Sequence, residues 1–288
     1  MNYTLSSKKA AIYFNVNEST VKRWADSGIL KCFKTSGGHR KFKLEDLKKY
    51  AEENNFQTND LLFINKETGN KTAIKKKNYS LLIKKFEKYI LKGDSKNTFT
   101  FLYTLYINGY SLAEIFDDIV KVTMQNIGKK WEDKTLNIES EHIATNTIIS
   151  SLHQFERVIE IKTPNKKTAV CTGLESEFHE IGLLCVKIAL EGDGWNVIYP
   201  GTNLPYNSII ELIEDHKPNI VCLSSTYIPD YEKNSKMLNE IEAVCENSGV
   251  SLILGGKNKI TEKMKSPICG SISELKRHLK NLENENKK

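Results

Sequence analysis

Apolar positions along the chain recur in two different ways. Over residues 5–53, and again over 79–161, they return every three to four positions, the spacing that stripes one face of an α-helix. From Lys167 onward they gather in short runs separated by amphipathic stretches, as in buried parallel strands with helices between them. Residues 54–78 are polar, with a lysine run at Lys75, Lys76 and Lys77, and read as a flexible linker. The chain is therefore expected to be multidomain: a small, mostly helical unit over residues 1–55, a linker over 56–78, a four-helix bundle over 79–162 and an α/β domain with a parallel sheet over 165–288.

In the first zone Ser6 is placed to cap a helix with Ala10, Ala11 and Phe14 on one face, and Asn15 falls at a turn needing a left-handed residue. Val16 closes the small core. Asn17 caps a second helix, 18–26, which turns Val21 and Trp24 inward and leaves Thr20, Lys22 and Arg23 outside. Residues 31–42 follow as a β-hairpin whose tip, Thr35-Ser36-Gly37-Gly38, has glycines that permit positive φ. A third helix, 44–53, opens with Glu45 and Asp46, as the helix dipole favours. The bundle should hold four helices, broken at Gly93, Gly109 and 134–137. The sheet strands are expected at 168–171, 196–199, 220–224 and 252–254, with a weaker fifth at 267–269.

Charge sharpens this picture at one end. The net charge is +6, and residues 1–53 hold eleven Lys or Arg against six Asp or Glu, so nearly all the excess lies there. A compact basic segment fits a polyanion, because phosphate neutralisation supplies most non-specific DNA affinity; solvated surface lysines are the alternative. The six cysteines are scattered without a C-x-x-C pair and read as reduced thiols rather than disulfides or zinc ligands. No run of about 18 apolar residues occurs and the start lacks the regions of a secretion signal, so no membrane association and a cytoplasmic location are expected.

Helix, turn, helix and glycine wing together make a winged reader. Here Thr20-Val21-Lys22-Arg23-Trp24, Gly28-Ile29-Leu30 and Ser36-Gly37-Gly38-His39-Arg40-Lys41-Phe42 resemble the MerR family of bacterial regulators over about the first 55 residues. The resemblance implies base contacts from the second helix, through Thr20, Lys22 and Arg23, and phosphate contacts from the wing, through His39, Arg40 and Lys41. A helix pair used only for protein contacts is the alternative. No sustained heptad pattern follows residue 54, so self-association is expected to use the later domains.

In open parallel sheets ligands bind beyond the carboxyl ends of the strands. The loop after the first strand carries Glu177, His179 and Gly182: an imidazole able to coordinate a metal, a carboxylate able to orient it and a glycine that admits a bulky planar group. Alone, such a histidine is more often a solvated side chain. The same crevice receives Ser224, Ser225 and Thr226 from the third strand and Gly255 and Gly256 from the fourth. Glu177-x-His179-x-x-Gly182, Ser224-Ser225-Thr226 and Gly255-Gly256 resemble the D-x-H-x-x-G, S-x-L and G-G signatures of cobalamin-binding domains of the methionine synthase type, with Glu for Asp and Thr for Leu. The resemblance implies a Rossmann-like domain in which His179 is the lower axial cobalt ligand, Glu177 its partner, and Ser224, Gly255 and Gly256 line the groove for the nucleotide tail.

In the bundle, Trp131 is followed after nine residues by Glu141 and His142. On spacing alone these are a core tryptophan and a helix-end polar pair. The order of reader, bundle and cobalamin domain resembles the CarH and LitR photoreceptor group over essentially the whole chain, and that group carries a W-x9-E-H motif covering the upper corrin face. The resemblance implies that Trp131, Ile138, Glu141 and His142 enclose the adenosyl group. Where some members have a histidine after the tryptophan, this chain has Glu132, which puts capture of the cobalt by a second histidine in doubt.

The expected function is a light-responsive transcription regulator, a repressor rather than an enzyme. It would bind adenosylcobalamin in the dark, sit as a homodimer or homotetramer on a double-stranded DNA operator, and leave when light breaks the cobalt–carbon bond. Methylcobalamin is the other alkyl form open to it. The alternatives are a cobalamin sensor indifferent to light, a corrinoid methyl carrier, and a sheet that binds no cofactor and serves oligomerisation.

Overall fold

The computed structural model describes residues 4–56, 71–226, 230–256 and 260–285. The chain divides into two compact units, residues 1–70 and 71–288.

In the first unit β1 (Thr4–Ser6) runs into α1 (Ser7–Tyr13), whose start is capped by Ser6 Oγ accepting from the Lys9 N–H at 3.4 Å. Asn15 takes φ +53° between α1 and α2 (Glu18–Asp26), as the turn requires. Asn17 occupies the cap position of α2 without a side-chain cap bond. The wing strands β2 (Phe33–Lys34) and β3 (Arg40–Lys43) pair antiparallel, with Gly38 at φ +76° in the tip, and α3 (Leu44–Glu53) follows. β1, which the apolar pattern did not announce, pairs with the other edge of β3, so the sheet has three strands in the order β1-β3-β2. Leu5, Ala10, Phe14, Val21, Leu30, Phe42 and Leu47 are buried. Phe56, expected to open the linker, instead packs edge-on against Phe14 and Trp24, with ring centroids 5.5 and 5.3 Å away. Residues 57–70 of the expected linker lie outside the described residues.

The second unit opens with α4 (Lys71–Lys75), another departure from the expected linker. Ala73 and Ile74 are buried, and the Tyr110 hydroxyl donates to the Ile74 carbonyl at 2.9 Å, so apolar burial and one satisfied carbonyl fix a segment that reads as polar. The bundle comprises α5 (Tyr79–Ile90), α6 (Ser95–Ile107), a composite third helix and α9 (Ile138–Glu156). The third helix is α7 (Leu112–Ile115), a π-helical turn (Phe116–Lys121) and α8 (Val122–Glu132). Gly93, Gly109 and Lys134 all have positive φ at the joints between helices.

The sheet consists of β4 (Thr168–Gly173), β5 (Asn196–Gly201), β6 (Ile220–Ser224) and β7 (Ser251–Gly255), all parallel in the order β5-β4-β6-β7. The expected fifth strand is a single bridge, Leu254 to Ile268. Its apolar length, Ile268 and Cys269 flanked by Pro267 and Gly270, is too short for a ladder. α10 (Glu180–Gly192) and α13 (Ile272–Glu285) cover one face through Leu183, Leu190, Leu275 and Leu279. α11 (Tyr206–His216) and α12 (Tyr231–Asn247) cover the other through Ile209, Ile213, Leu238 and Ile241. The chain leaves β4 toward β5 and returns to β6 on its other side, so the order reverses between β4 and β6, where such folds open a ligand crevice. Among the described residues no helix is long and apolar enough to cross a membrane.

Candidate functional site

Three strands end in line at the switch point. Gly173, Ser224 and Gly255 are register partners across β4, β6 and β7, so the loops that follow leave from one row. The backbone ties them together: Leu174 N–H donates to the Ser224 carbonyl at 3.0 Å and Ser225 N–H to the Gly255 carbonyl at 2.8 Å. Gly256 takes φ +88°, and a Cβ there would lie 2.5 Å from the Ser225 carbonyl oxygen, so only glycine lets these two loops approach.

After β4 the chain turns through Ser176 at φ +70°, whose N–H donates to Asn203 Oδ1 at 2.8 Å, and this drives Glu177 into the interior, with no exposed surface. A buried carboxylate needs donors. Glu177 Oε1 accepts the His179 backbone N–H at 2.7 Å and meets His179 Nδ1 at 2.6 Å, while Oε2 accepts the Thr226 N–H from the neighbouring loop. Glu177 thus fastens two of the three loops and fixes the imidazole. His179 is the residue from which α10 starts. With Nδ1–H turned to the carboxylate, Nε2 keeps its lone pair on a side chain that is 64% exposed. The hydrogen bond to Glu177 raises the His179 pKa; burial works against this, and the charges of Glu177 and of Glu141 on α9 add to it. Gly182, on the first turns of α10, faces open space, with nothing within 4 Å of a Cβ built there. Its bareness answers no packing need of the protein itself.

The bundle meets the sheet domain where α9 packs against α10, the helix that His179 begins. Glu141 Oε1 accepts the Thr145 hydroxyl at 2.8 Å, and its Oε2 lies 3.1 Å from His142 Nδ1. Trp131, at the end of α8, is 49% exposed and Ile138, at the start of α9, 52% exposed. Trp131 is therefore not a core tryptophan. The two border an open groove of about 580 Å³ with Thr135, Leu136, Asn137 and Ser140. Glu132 is exposed beside it.

Two site residues behave differently from a reading of side chains alone. Thr226 supplies its backbone N–H to Glu177 rather than a side chain, and Ser225 is fully buried behind Ser224. The turn formed by Ser176 and Asn203 was not foreseen. Its one sequence signal is a pair of small polar residues, tolerant of positive φ, at loop positions after β4 and β5.

In the first unit, Arg23 is exposed on α2, and Thr20 lies half-buried one turn before it. Lys22 pairs with Glu18 at 2.8 Å. Arg40 is engaged: its Nη2 donates to Asp26 Oδ1 at 2.5 Å, tying the wing to the end of α2. His39 is exposed at the wing tip and Lys41 half-buried.

Residues 4–55 match a helix-turn-helix domain family, and residues 82–155 and 167–266 match two B12 binding domain families. The chain is 20% identical over 162 residues to a methanol–corrinoid protein of Methanosarcina barkeri, which spans 55% of this chain and 63% of that protein. It is 24% identical over 110 residues to the HTH-type transcriptional repressor CarH of Myxococcus xanthus, 38% of this chain and 36% of that protein. Both matches thus cover less than two thirds of the relative. Among solved structures, the Methanosarcina barkeri monomethylamine corrinoid protein superposes with a TM-score of 0.57 at 15% identity, over 70% of this chain and 98% of that one, a likeness of fold.

Proposed function

Because the chain joins a helix-turn-helix domain to two B12-binding domains, we propose that it is a DNA-binding transcription regulator that holds an alkylcobalamin between bundle and sheet and responds to light. The observation that carries this reading is His179: fixed at Nδ1 by a fully buried carboxylate and exposed on the rest of its ring, at the start of the helix against which the bundle's α9 packs.

The residues fit such a group. His179 Nε2 would hold the cobalt, Glu177 would hold the ring and raise its basicity, and Gly182 would leave room for the group. Ser224, Ser225, Thr226, Gly255 and Gly256 would border the nucleotide tail, while Trp131, Ile138, Glu141 and His142 would cover the upper face. What the bound group supplies is a cobalt–carbon bond that visible light breaks. The chain's part is to bind, to shield that bond from water with Trp131 and Ile138, and to couple the state of the crevice to DNA affinity through self-association; no turnover is required. Thr20, Lys22, Arg23, His39, Arg40 and Lys41 would meet the operator, with Arg40 positioning the wing through Asp26. Adenosylcobalamin is the form this reading favours, since Trp131 and Ile138 offer apolar surface suited to an adenosyl group.

The test is a visible spectrum of the full chain with adenosylcobalamin in the dark and after green illumination, with operator binding and molar mass measured alongside. Replacement of benzimidazole by histidine, lost in His179→Ala, together with a light-dependent drop in mass and DNA affinity, is the expected result. Retention of the histidine spectrum by His179→Ala would overturn the ligand assignment. Cofactor binding without a light effect on DNA would leave a light-indifferent cobalamin sensor.

A further inference from the structure

The bundle and the sheet domain are joined at a point other than the crevice. Asp117, inside the π-helical turn, accepts from the N–H groups of Ile272 and Ser273 at 2.7 and 2.9 Å and from the Ser273 hydroxyl at 2.7 Å, so it caps the 14-residue helix α13 from another domain. Four residues on, Lys121 donates to the Gly270 carbonyl at 2.8 Å. Three residues earlier, Glu114 holds the segment that leads back to the reader: it accepts from Lys77 and, at 3.1 Å, from the Tyr79 hydroxyl, and Ser111 locks it in a capping box. Next to it the Tyr110 hydroxyl holds the carbonyl of Ile74 on α4. One stretch, residues 110–121, therefore grips the cofactor-type domain with one end and the reader-proximal segment with the other. The two grips lie less than one helical turn apart, with no flexible link between them.

We propose that this stretch is the coupling element of the protein, in which a shift of α13 against the bundle is passed through Asp117 and the π-helical turn to Glu114 and so to the hold on α4. A π-turn inside an α-helix is rare and is frequently found at functional sites. Here it sets Asp117 and Lys121 toward α13 while α7 keeps Glu114 toward Lys77, two directions fixed by short hydrogen bonds. Glu114 is a firm anchor at neutral pH: burial alone would raise its pKa, but the bonds from Lys77, Ser111 and Tyr79 outweigh this and hold it at about 2. This inference rests on the proposed function only for what moves α13; the mechanical link itself is independent of any cofactor.

The experiment is amide hydrogen exchange on the full chain, first without cofactor, comparing the parent with Asp117→Ala and with the milder Ser273→Ala, which removes one of the three cap bonds. Exchange at residues 71–78 is expected to speed up by at least about threefold in Asp117→Ala and by less in Ser273→Ala, with β4 unchanged as the check on folding. Lys265→Ala, which breaks the Lys265–Glu246 pair on α12, on the face of the sheet away from α13, should leave 71–78 unmoved. Faster exchange at 271–276 with none at 71–78 would overturn the coupling. A second arm adds adenosylcobalamin in the dark and follows binding by its spectrum: protection at 71–78 should rise in the parent and not in Asp117→Ala although both bind. Equal protection in both would also overturn it, whereas absence of binding in the parent would refute the proposed function and leave the first arm to decide the link.

Discussion

Glu177→Gln isolates the charge of one buried oxygen pair while keeping its shape. The native carboxylate has no exposed surface and answers three donors: His179 N–H, His179 Nδ1–H and the Thr226 N–H. A glutamine offers one oxygen and one NH2, so one of those donors must face another donor, at a cost of about 1–3 kcal/mol for an unmet buried group. The ring also loses the anion that makes Nε2 a better ligand. Removing such a partner from a ligating histidine lowers metal affinity about 10- to 100-fold, or roughly 1.4–2.7 kcal/mol. The assay is a dark titration with adenosylcobalamin, followed by the visible spectrum, from pH 8 down to pH 5.5. His179 must be neutral to bind cobalt. Its pKa is raised by Glu177, so protons compete in the parent as pH falls through that raised value, and below it affinity should drop about tenfold per pH unit. In the variant the drop begins at lower pH, so the gap between the two proteins is widest at pH 8 and narrows on acidification. Affinities within twofold at pH 8, or superimposable pH profiles, would refute the reasoning.

Gly256→Ala places a methyl 2.5 Å from the Ser225 carbonyl at φ +88°; denaturant unfolding should show a loss of about 1–3 kcal/mol, accompanied by failure to retain cofactor. Trp131→Ala removes a side chain that is already 49% exposed, so cofactor-free stability should change by no more than about 1 kcal/mol in the same assay, while affinity for adenosylcobalamin falls; a large stability loss would return Trp131 to the core. Arg23→Ala should weaken operator binding by about 1–3 kcal/mol in a gel-shift or anisotropy titration with the melting temperature unchanged. Arg40→Ala, which breaks the bond to Asp26, should weaken binding and loosen the wing together, seen as faster amide exchange in β2 and β3.

Much of this architecture is written locally. Ser6, Asn15 and the Gly37-Gly38 tip mark the reader's turns because caps and positive φ depend on one or two side chains, and α2 and α3 follow from the apolar stripe they carry. Strands β4, β6 and β7 are legible because parallel strands buried on both faces must be continuously apolar, and the half-buried edge strand β5 by its short run Val197-Ile198-Tyr199. Glu177, His179 and the paired glycines could be singled out by their chemistry and their position after those strands.

What the sequence left undecided depends on partners far along the chain. β1 forms because β3 has a free edge, and α4 is held because Tyr110, 36 residues later, reaches the Ile74 carbonyl. The π-helical turn has no periodic signature; its Asp117 finds its partners 155 and 156 residues away. The strand order that puts Gly173, Ser224 and Gly255 in one row, the Thr226 N–H turned onto Glu177, and the charge of Glu141 brought to bear on His179 are likewise properties of packing. Composition and local spacing determined which residues were able to do the chemistry; the free energy of burying distant surfaces against one another decided which of them meet.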